Sequence, residues 1–333
     1  MYSLFKLFAD RGFIALNKLA NKAEEMSGFK FVPIPVETVL QLQTVHEINL
    51  NAQYMDASIV ITMNWNDNNL KWEIGSKFNV NSVRADRHQV WVPDIEILNR
   101  IRDFAPGDEK ERQLKIDSSG NVRFVRSFRI RSSMSPSIGS YPYDVQVASL
   151  ILASGDYSTE KLNLTTDYWT EYVHNVTGGG RLDSGWLTSK RAMEIIHYKY
   201  VDQNTEWQFL AYKFSTKELI DVVSGRNFSA IEVKLAFRRN DPFYTMTLIL
   251  PIIMLTLMVP LGLIMPIDSG EKMGFQVTLL LTVVIYVEYL QDNIPVFSTM
   301  ADAPYLLQFF VIIIMISATS ILGSSICQIR VKR

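Results

Sequence analysis

The chain has 333 residues, 48% of them hydrophobic and 20% charged, and its 33 Lys and Arg nearly balance 34 Asp and Glu for a formal net charge of −1. No global field draws it to nucleic acid, and a single cysteine, Cys327, excludes an intrachain disulfide and a Cys-based zinc site. The four histidines, His46, His88, His174 and His197, have no metal-ligand spacing, so neither a metal nor another cofactor is expected.

Residues 1–28 place Leu4, Leu7, Phe8, Ile14 and Leu19 at mixed helical spacings among polar residues, which predicts an amphipathic helix. Lys6, Asp10, Arg11 and Lys18 leave no clean apolar core for an export signal in this stretch; if the next segment is exported, a signal is expected to have been removed. Residues 29–241 read mostly as strands. Period-2 alternation runs through Ala57 to Trp65 and through Val122 to Arg131, where Phe124, Phe128 and Ile130 fall on one face and Arg123, Arg129 and Arg131 on the other. Turn signals recur at Asn66-Asp67-Asn68-Asn69, Pro106-Gly107-Asp108, Ser118-Ser119-Gly120-Asn121, Gly178-Gly179-Gly180 and Ser224-Gly225. Many short strands at such intervals predict an all-β sandwich or barrel with one face of each sheet buried and one wet.

No catalytic constellation emerges, and no enzyme is expected. Gly178-Gly179-Gly180 lacks the Lys-Ser/Thr of a phosphate loop, no Gly-x-Ser-x-Gly elbow occurs, and Asp108 to Arg112 is a solvated turn.

Residues 242–333 carry only nine of the 67 charged side chains. Phe243 to Ile267 and Ala303 to Ile329 are uncharged runs long enough to cross about 30 Å of hydrocarbon as helices. Between them Met273 to Val287 is apolar but short, bracketed by Glu271, Lys272, Glu288 and Asp292, which suggests a helix shielded from lipid by its neighbours. Three transmembrane helices are expected, at about 243–266, 270–293 and 303–329. Arg330, Lys332 and Arg333 favour a cytoplasmic end after the last, placing residues 1–241 outside a plasma membrane.

Alternate steps of three and four from Glu271 reach Gly274, Thr278, Leu281, Ile285, Glu288 and Asp292, which share one helix face. That face is acidic at both ends and apolar in the middle. Carboxylate rings would concentrate cations, and a ring of Leu or Ile would close a water path by dewetting. The same spacing also fits a helix whose polar ends merely sit at the two membrane surfaces.

Several motifs are similar to those of the pentameric ligand-gated ion channels, the Cys-loop receptor superfamily, most of all its nicotinic and serotonin-gated cation branch. Trp91-Val92-Pro93-Asp94 resembles the family's W-x-P-D, and Tyr141-Pro142-Tyr143-Asp144-Val145-Gln146 resembles its F/Y-P-F/Y-D-x-Q. Trp65 to Trp72 is similar to E-W-x-D-x-x-L-x-W, Asp268 to Lys272 opens the second transmembrane segment, which runs on to Pro295, and Pro304 to Phe310 opens the third.

The resemblance implies an extracellular immunoglobulin-like β-sandwich with an N-terminal helix, followed by an α-helical transmembrane bundle whose fourth helix is expected beyond Arg333. It implies a pentamer with four further, identical subunits, a small-molecule agonist bound between extracellular domains, and permeating monovalent cations. Leu281 and Ile285 fall at the gate, and Glu271, Glu288 and Asp292 at charge-selecting rings. Coupling of binding to gating would run through Asn51, Tyr141, Pro142, Tyr143, Asp144, Arg239 and Pro295. Ligand-site positions fall on Val60, Leu98, Asp156, Tyr157 and Phe228, with Gly155 at a further position.

There are departures. The two family cysteines fall on Met134 and Ala148, so the signature loop keeps its length without its disulfide. The aromatic box for cationic amines is depleted to Tyr157 and Phe228, so neither acetylcholine nor serotonin is expected as agonist. The Arg-rich strand and the long Trp169 to Gln203 stretch are candidates to shape a ligand site of unstated chemistry. A non-conducting, membrane-anchored ligand-binding or accessory subunit remains the alternative.

Overall fold

Where apolar and polar residues alternate, successive side chains point to opposite faces of a strand, and two such sheets bury their apolar faces against each other. The computed structural model describes residues 32–75, 80–102, 110–166, 187–188, 206–222, 225–266, 271–297, 299 and 302–331. The amphipathic segment 1–28, the Pro106 and Gly178 turns and nearly all of Trp169 to Gln203 lie outside them.

Thirteen strands are present among the described residues. They are β1 (Ile34–Asn49), β2 (Tyr54–Asn66), β3 (Ser82–Ala85), β4 (Ile95–Ile97), β5 (Arg100–Arg102), β6 (Lys110–Glu111), β7 (Leu114–Asp117), β8 (Asn121–Ser133), β9 (Val145–Ser154), β10 (Leu162–Thr165), β11 (Leu187–Thr188), β12 (Trp207–Ile220) and β13 (Asn227–Arg239). One sheet of eight strands follows the path β10-β1-β2-β8-β7-β3, with β5 and β6 also paired to β8; a second of five follows β11-β12-β13-β9-β4. Their facing sides form the sandwich core, from Met55, Ile59, Ile61 and Met63 on β2 and Phe124 on β8 to Leu150, Leu152, Tyr212 and Phe237 on the other sheet. The β7–β8 hairpin turns at Gly120, whose φ is +84° and whose missing Cβ would stand 2.5 Å from the Asp67 carbonyl oxygen, so only glycine fits.

The expected wet face fails in central strands of both sheets: on β13, between β12 and β9, the outward Ala230, Glu232 and Ala236 are buried. Asp56, Val60 and Thr62 lie on the outer face of β2 and are nevertheless buried. β2 is central, between β1 and β8, and its outer side chains are roofed by their neighbours. Asp56 is fully covered by a bidentate pair with Arg129 (2.7 and 3.0 Å) and a third bond from Arg131 (3.2 Å).

After β13 the chain turns helical at Asp241, passes through a π-helical turn Thr245–Ile249 and continues as α1 (Leu250–Ile264); α2 (Lys272–Asn293) and α3 (Tyr305–Val331) follow. The helices are long and apolar enough to cross a membrane over Pro242–Gly262, Lys272–Asn293 and Tyr305–Cys327. Gly262 lets α1 approach α2, since a Cβ there would press to 3.2 Å on Gln276 Cγ. The Gln276 amide donates to the Gly262 carbonyl (3.0 Å) and to Ser320 Oγ (2.8 Å), tying three helices together where lipid offers no partner.

Candidate functional site

One face of α2 is packed and the other is open. Lys272, Gln276, Val283 and Leu290 are buried against α1 and α3, and Tyr286 stacks on Phe310 at 6.4 Å. On the opposite side Glu271, Gly274, Thr278, Leu281, Ile285, Glu288 and Asp292 are all exposed in the protomer. Leu281 and Ile285 keep 59% and 55% of their surface, and a Cβ at Gly274 would meet nothing within 4 Å. Glu271 stands at the N-terminal cap of α2, where the helix dipole favours a carboxylate; Asp292 is in the last turn, where the dipole opposes one. Lys272, next to Glu271 in sequence, turns away from this face and its ammonium donates to the Met265 carbonyl at the end of α1 (2.9 Å).

Below the sandwich, the seven residues singled out for coupling converge. Ile138 and Tyr141, from the loop between β8 and β9, are buried in one cluster with Leu248, Ile252, Leu290, Ile294 and Phe310 of the helical region, and Pro142 and Pro295 are buried beside them in sequence. Tyr143 reaches Thr245, hydroxyl to hydroxyl at 3.0 Å, and the Asn51 amide donates to the Asp292 carbonyl at the end of α2. Arg239, the last residue of β13, donates to Asp144 (3.0 Å), to Glu206 (2.8 Å) and to the Tyr244 hydroxyl (3.0 Å), while its guanidinium lies over Trp207, Tyr244 and Tyr141 at 4.3, 4.9 and 5.0 Å. Burial disfavours the charge of Arg239, but Asp144, joined by Tyr244 and Tyr141, outweighs this and raises its pKa; burial pushes the Tyr141 phenol up against the opposing pull of Arg239. Glu206, Trp207 and Tyr244 carried no sequence signal for this role.

The signature loop is closed without a disulfide. Gln146 spans it, accepting from the Ser137 amide (2.9 Å) and donating to the Ser137 carbonyl (2.8 Å) and Asp144 (2.5 Å), while Met134 and Ala148 are both buried in the sandwich core. The Met134 amide also donates to the Gln53 carbonyl in the β1–β2 turn (2.9 Å).

The ligand-site positions come together only in part. Asp94 accepts from Ser154 Oγ (2.5 Å) and from the Asp156 amide (2.7 Å), holding the segment after β9, and the Thr159 amide donates to the Asn227 carbonyl at the start of β13 (2.7 Å). Asp156, Tyr157 and Phe228 therefore share one end of the five-stranded sheet, with exposed Leu98 farther along the same sheet, its amide on the Ile151 carbonyl (2.8 Å). The Tyr157 hydroxyl accepts from the Trp91 indole (3.2 Å), and the two rings meet edge to face, as do Trp91 and Trp65. Val60 stands on the other sheet and is buried at 8% exposure. Among the described residues no His, Cys, Asp and Glu cluster could hold a metal ion.

A family model, the neurotransmitter-gated ion-channel ligand binding domain, matches residues 17–241, more than half of the chain. The chain belongs to the neurotransmitter-gated ion channels. It is 28% identical over 302 residues to acetylcholine receptor subunit beta-type lev-1 of Caenorhabditis elegans, covering 87% of this chain and 52% of the relative. It is 24% identical over 294 residues to the acetylcholine receptor subunit beta of Rattus norvegicus, covering 87% and 55%. The chain thus spans about half the length of the curated relatives it matches. These relatives are receptor subunits and not enzymes, and with Cys327 as its one cysteine this member of the Cys-loop superfamily lacks the signature disulfide.

Proposed function

We propose that the protein is a subunit of a pentameric, ligand-gated, cation-selective channel of the plasma membrane, with residues 29–241 outside and 242–333 forming the membrane domain. Five copies of α2 would turn the stripe from Glu271 to Asp292 toward a central pore. Leu281 and Ile285 form the hydrophobic gate, which excludes water when the helices close in and rehydrates when they tilt or rotate apart. Glu271, Glu288 and Asp292 supply three carboxylate rings that raise local cation concentration. A small-molecule agonist binds between extracellular domains at Leu98, Asp156, Tyr157 and Phe228 of one subunit and the Val60 strand of the next. It opens the pore by binding the open arrangement better than the closed one.

The observation that carries this reading is the two-sidedness of α2. Its uncovered face carries Glu271, Thr278, Glu288 and Asp292 together with Leu281 and Ile285, and carboxylates on that face suit water rather than lipid, while the opposite face packs Val283 and Leu290 against the neighbouring helices. The acids at Glu288 and Asp292 support it further, since they sit near the C-terminal end of the helix where its dipole disfavours them.

The test is whole-cell recording of Leu281→Thr in cells of low background conductance, with Glu271→Ala as its companion. A polar ring at the gate wets the constriction, so Leu281→Thr is expected to pass spontaneous cation current, and Glu271→Ala in that background to shift the reversal potential toward that of chloride. Silence with protein confirmed at the surface favours the accessory-subunit reading instead.

A further inference from the structure

Three Asn-x-Ser/Thr triplets with no proline in the middle occur in the chain: Asn163-Leu164-Thr165, Asn175-Val176-Thr177 and Asn227-Phe228-Ser229. Such a triplet is an acceptor for an N-linked glycan, and a glycan is bulky and hydrophilic, so in the folded protein it must stand in solvent. Asn175 lies outside the described residues. The structure separates the other two.

Asn227 is exposed at the first position of β13, just past the hairpin turn in which Gly225 has a φ of +67°. Its backbone is held, since its carbonyl accepts from the Thr159 amide (2.7 Å), but its side-chain amide makes no hydrogen bond among the described residues. Directly across on β12 stands Ile220, an apolar side chain with 67% of its surface uncovered. Alternation sends Asn227 and Phe228 to opposite faces of the strand, so a glycan on the first leaves the face with the second open. Asn163 differs on each count. It is half-buried, and its Oδ1 accepts from Ser229 Oγ (3.3 Å). It pairs with Pro35 on the outer sheet face that also carries Gln41 and Val60, the face set against the next subunit in the proposed pentamer.

We propose that Asn227 is an N-glycosylation site and that Asn163 stays bare in the assembled protein; this rests on the placement of residues 29–241 outside the membrane. The co-substrate is an oligosaccharide carried on a polyprenyl diphosphate. Asn227 Nδ2 forms a bond to the anomeric carbon of the first sugar, and the bond from that carbon to the diphosphate oxygen breaks. The lipid diphosphate leaves with the electron pair, and one amide proton is released. The transfer needs the triplet's hydroxyl as well as its amide. In the folded protein Ser229 is buried, its Oγ accepting from the Leu164 amide (3.0 Å), so modification precedes closure of the two sheets on it. The attached sugar then lies over Ile220 and shields its apolar surface. A chain modified at Asn163 carries its sugar into the subunit interface and does not assemble.

The test is made on the full-length protein expressed in animal cells and purified from their plasma membrane. A glycosidase that converts each modified asparagine to aspartate is applied, and peptide masses then read occupancy residue by residue. Conversion at 227 and none at 163 is expected, and Asn227→Gln is expected to lose one glycan's mass from the intact chain while still reaching the surface. Lys71→Thr, which completes a triplet at the exposed Asn69, reports the placement of the domain independently. A bare Asn227 in a Lys71→Thr protein that carries a glycan at Asn69 overturns the site and leaves the placement standing. Asn227 and Asn69 both bare overturn the placement, and the site with it. Conversion at 163 instead of 227 in the surface protein overturns the assignment.

Discussion

Arg239 Nε donates to Asp144 Oδ1 at 3.0 Å with the two side chains 4% and 1% exposed, so the end of the sandwich's last strand and the tip of the signature loop share one buried ion pair at the head of the first membrane helix. Removing one member of such a pair leaves an uncompensated charge, at a cost of about 3–5 kcal/mol. Asp144→Ala is therefore expected to lower the thermal unfolding temperature sharply. Asp144→Ala combined with Arg239→Met should lose less than the sum of the two single changes. Additive losses in that double-mutant cycle would mean the pair does not couple the two segments.

In the proposed channel, the contacts between the sandwich and the helices would carry ligand binding to the gate. Asn51 holds the carbonyl of Asp292 at the end of α2, and Tyr143 holds Thr245 at the head of α1. A hydrogen bond is worth about 0.5–1.5 kcal/mol net, which is up to about tenfold in an equilibrium. In a spontaneously open Leu281→Thr background, Asn51→Ala and Tyr143→Phe should each change the open fraction by up to that factor without changing surface expression. Recordings indistinguishable from the background would remove both residues from the coupling route.

Much of the helical region is legible in the sequence because its signals are local. An uncharged run and a three-four spacing are both properties of a single helix, and they suffice to find the three spans and the stripe of α2. The sandwich is legible as a class for the same reason. What lies across strands is not: the roofing of Asp56 by Arg129 and Arg131, and the row Arg84, Lys115 and Arg123, depend on register between strands that no local pattern encodes. Glu206 reaches Arg239 from a strand start far away in the chain, and Gln146 sits in a quoted motif whose spacing does not reveal that its amide closes the loop.

Gln146 bridges the signature loop to Ser137 in this chain, which has no disulfide there. Gln146→Ala leaves the Ser137 amide and carbonyl without these partners, each loss costing about 1–3 kcal/mol if water does not enter. Hydrogen exchange of residues 134–148 should quicken in this variant well before that of β2. Unchanged protection would assign the loop's closure to Met134 and Ala148 packing alone.

The carboxylate of Glu232 carries a pH dependence. Burial acts against its charge, but Lys217 at 2.8 Å, Lys234 at 3.7 Å and Ser215 at 3.3 Å prevail and hold its pKa below the ordinary value. A depressed folded pKa contributes stability above the unfolded value of about 4.3 and loses it as pH falls through the folded one. Wild type should be more stable to unfolding than Glu232→Gln at neutral pH, by less than about 1 kcal/mol because both lysines are largely solvated, and the two should converge below about pH 4. A difference that persists in acid would place the effect in packing.

Arg84 on β3, Lys115 on β7 and Arg123 on β8 stand directly across from one another as three like charges on the outer face of the sheet. Lys115→Glu sets a carboxylate between Arg84 and Arg123, replacing two repulsions by two cross-strand pairs of about 0.2–1 kcal/mol each. The variant is expected to unfold at a higher temperature than wild type. A lower unfolding temperature would show that the row is already relieved in the folded protein.

The central claim is that the open face of α2 meets water in a pore, and the presence of one cysteine, Cys327, in these 333 residues makes it accessible to a direct measurement. In a Cys327→Ser background, thiol modification by a charged, membrane-impermeant reagent can be followed at substituted cysteines one by one. The account predicts rapid modification with block of current at Thr278→Cys and Ile285→Cys, on the stripe, and no effect at Val283→Cys and Leu290→Cys, on the packed face. Equal rates at all four positions, or reaction confined to the packed face, would contradict it.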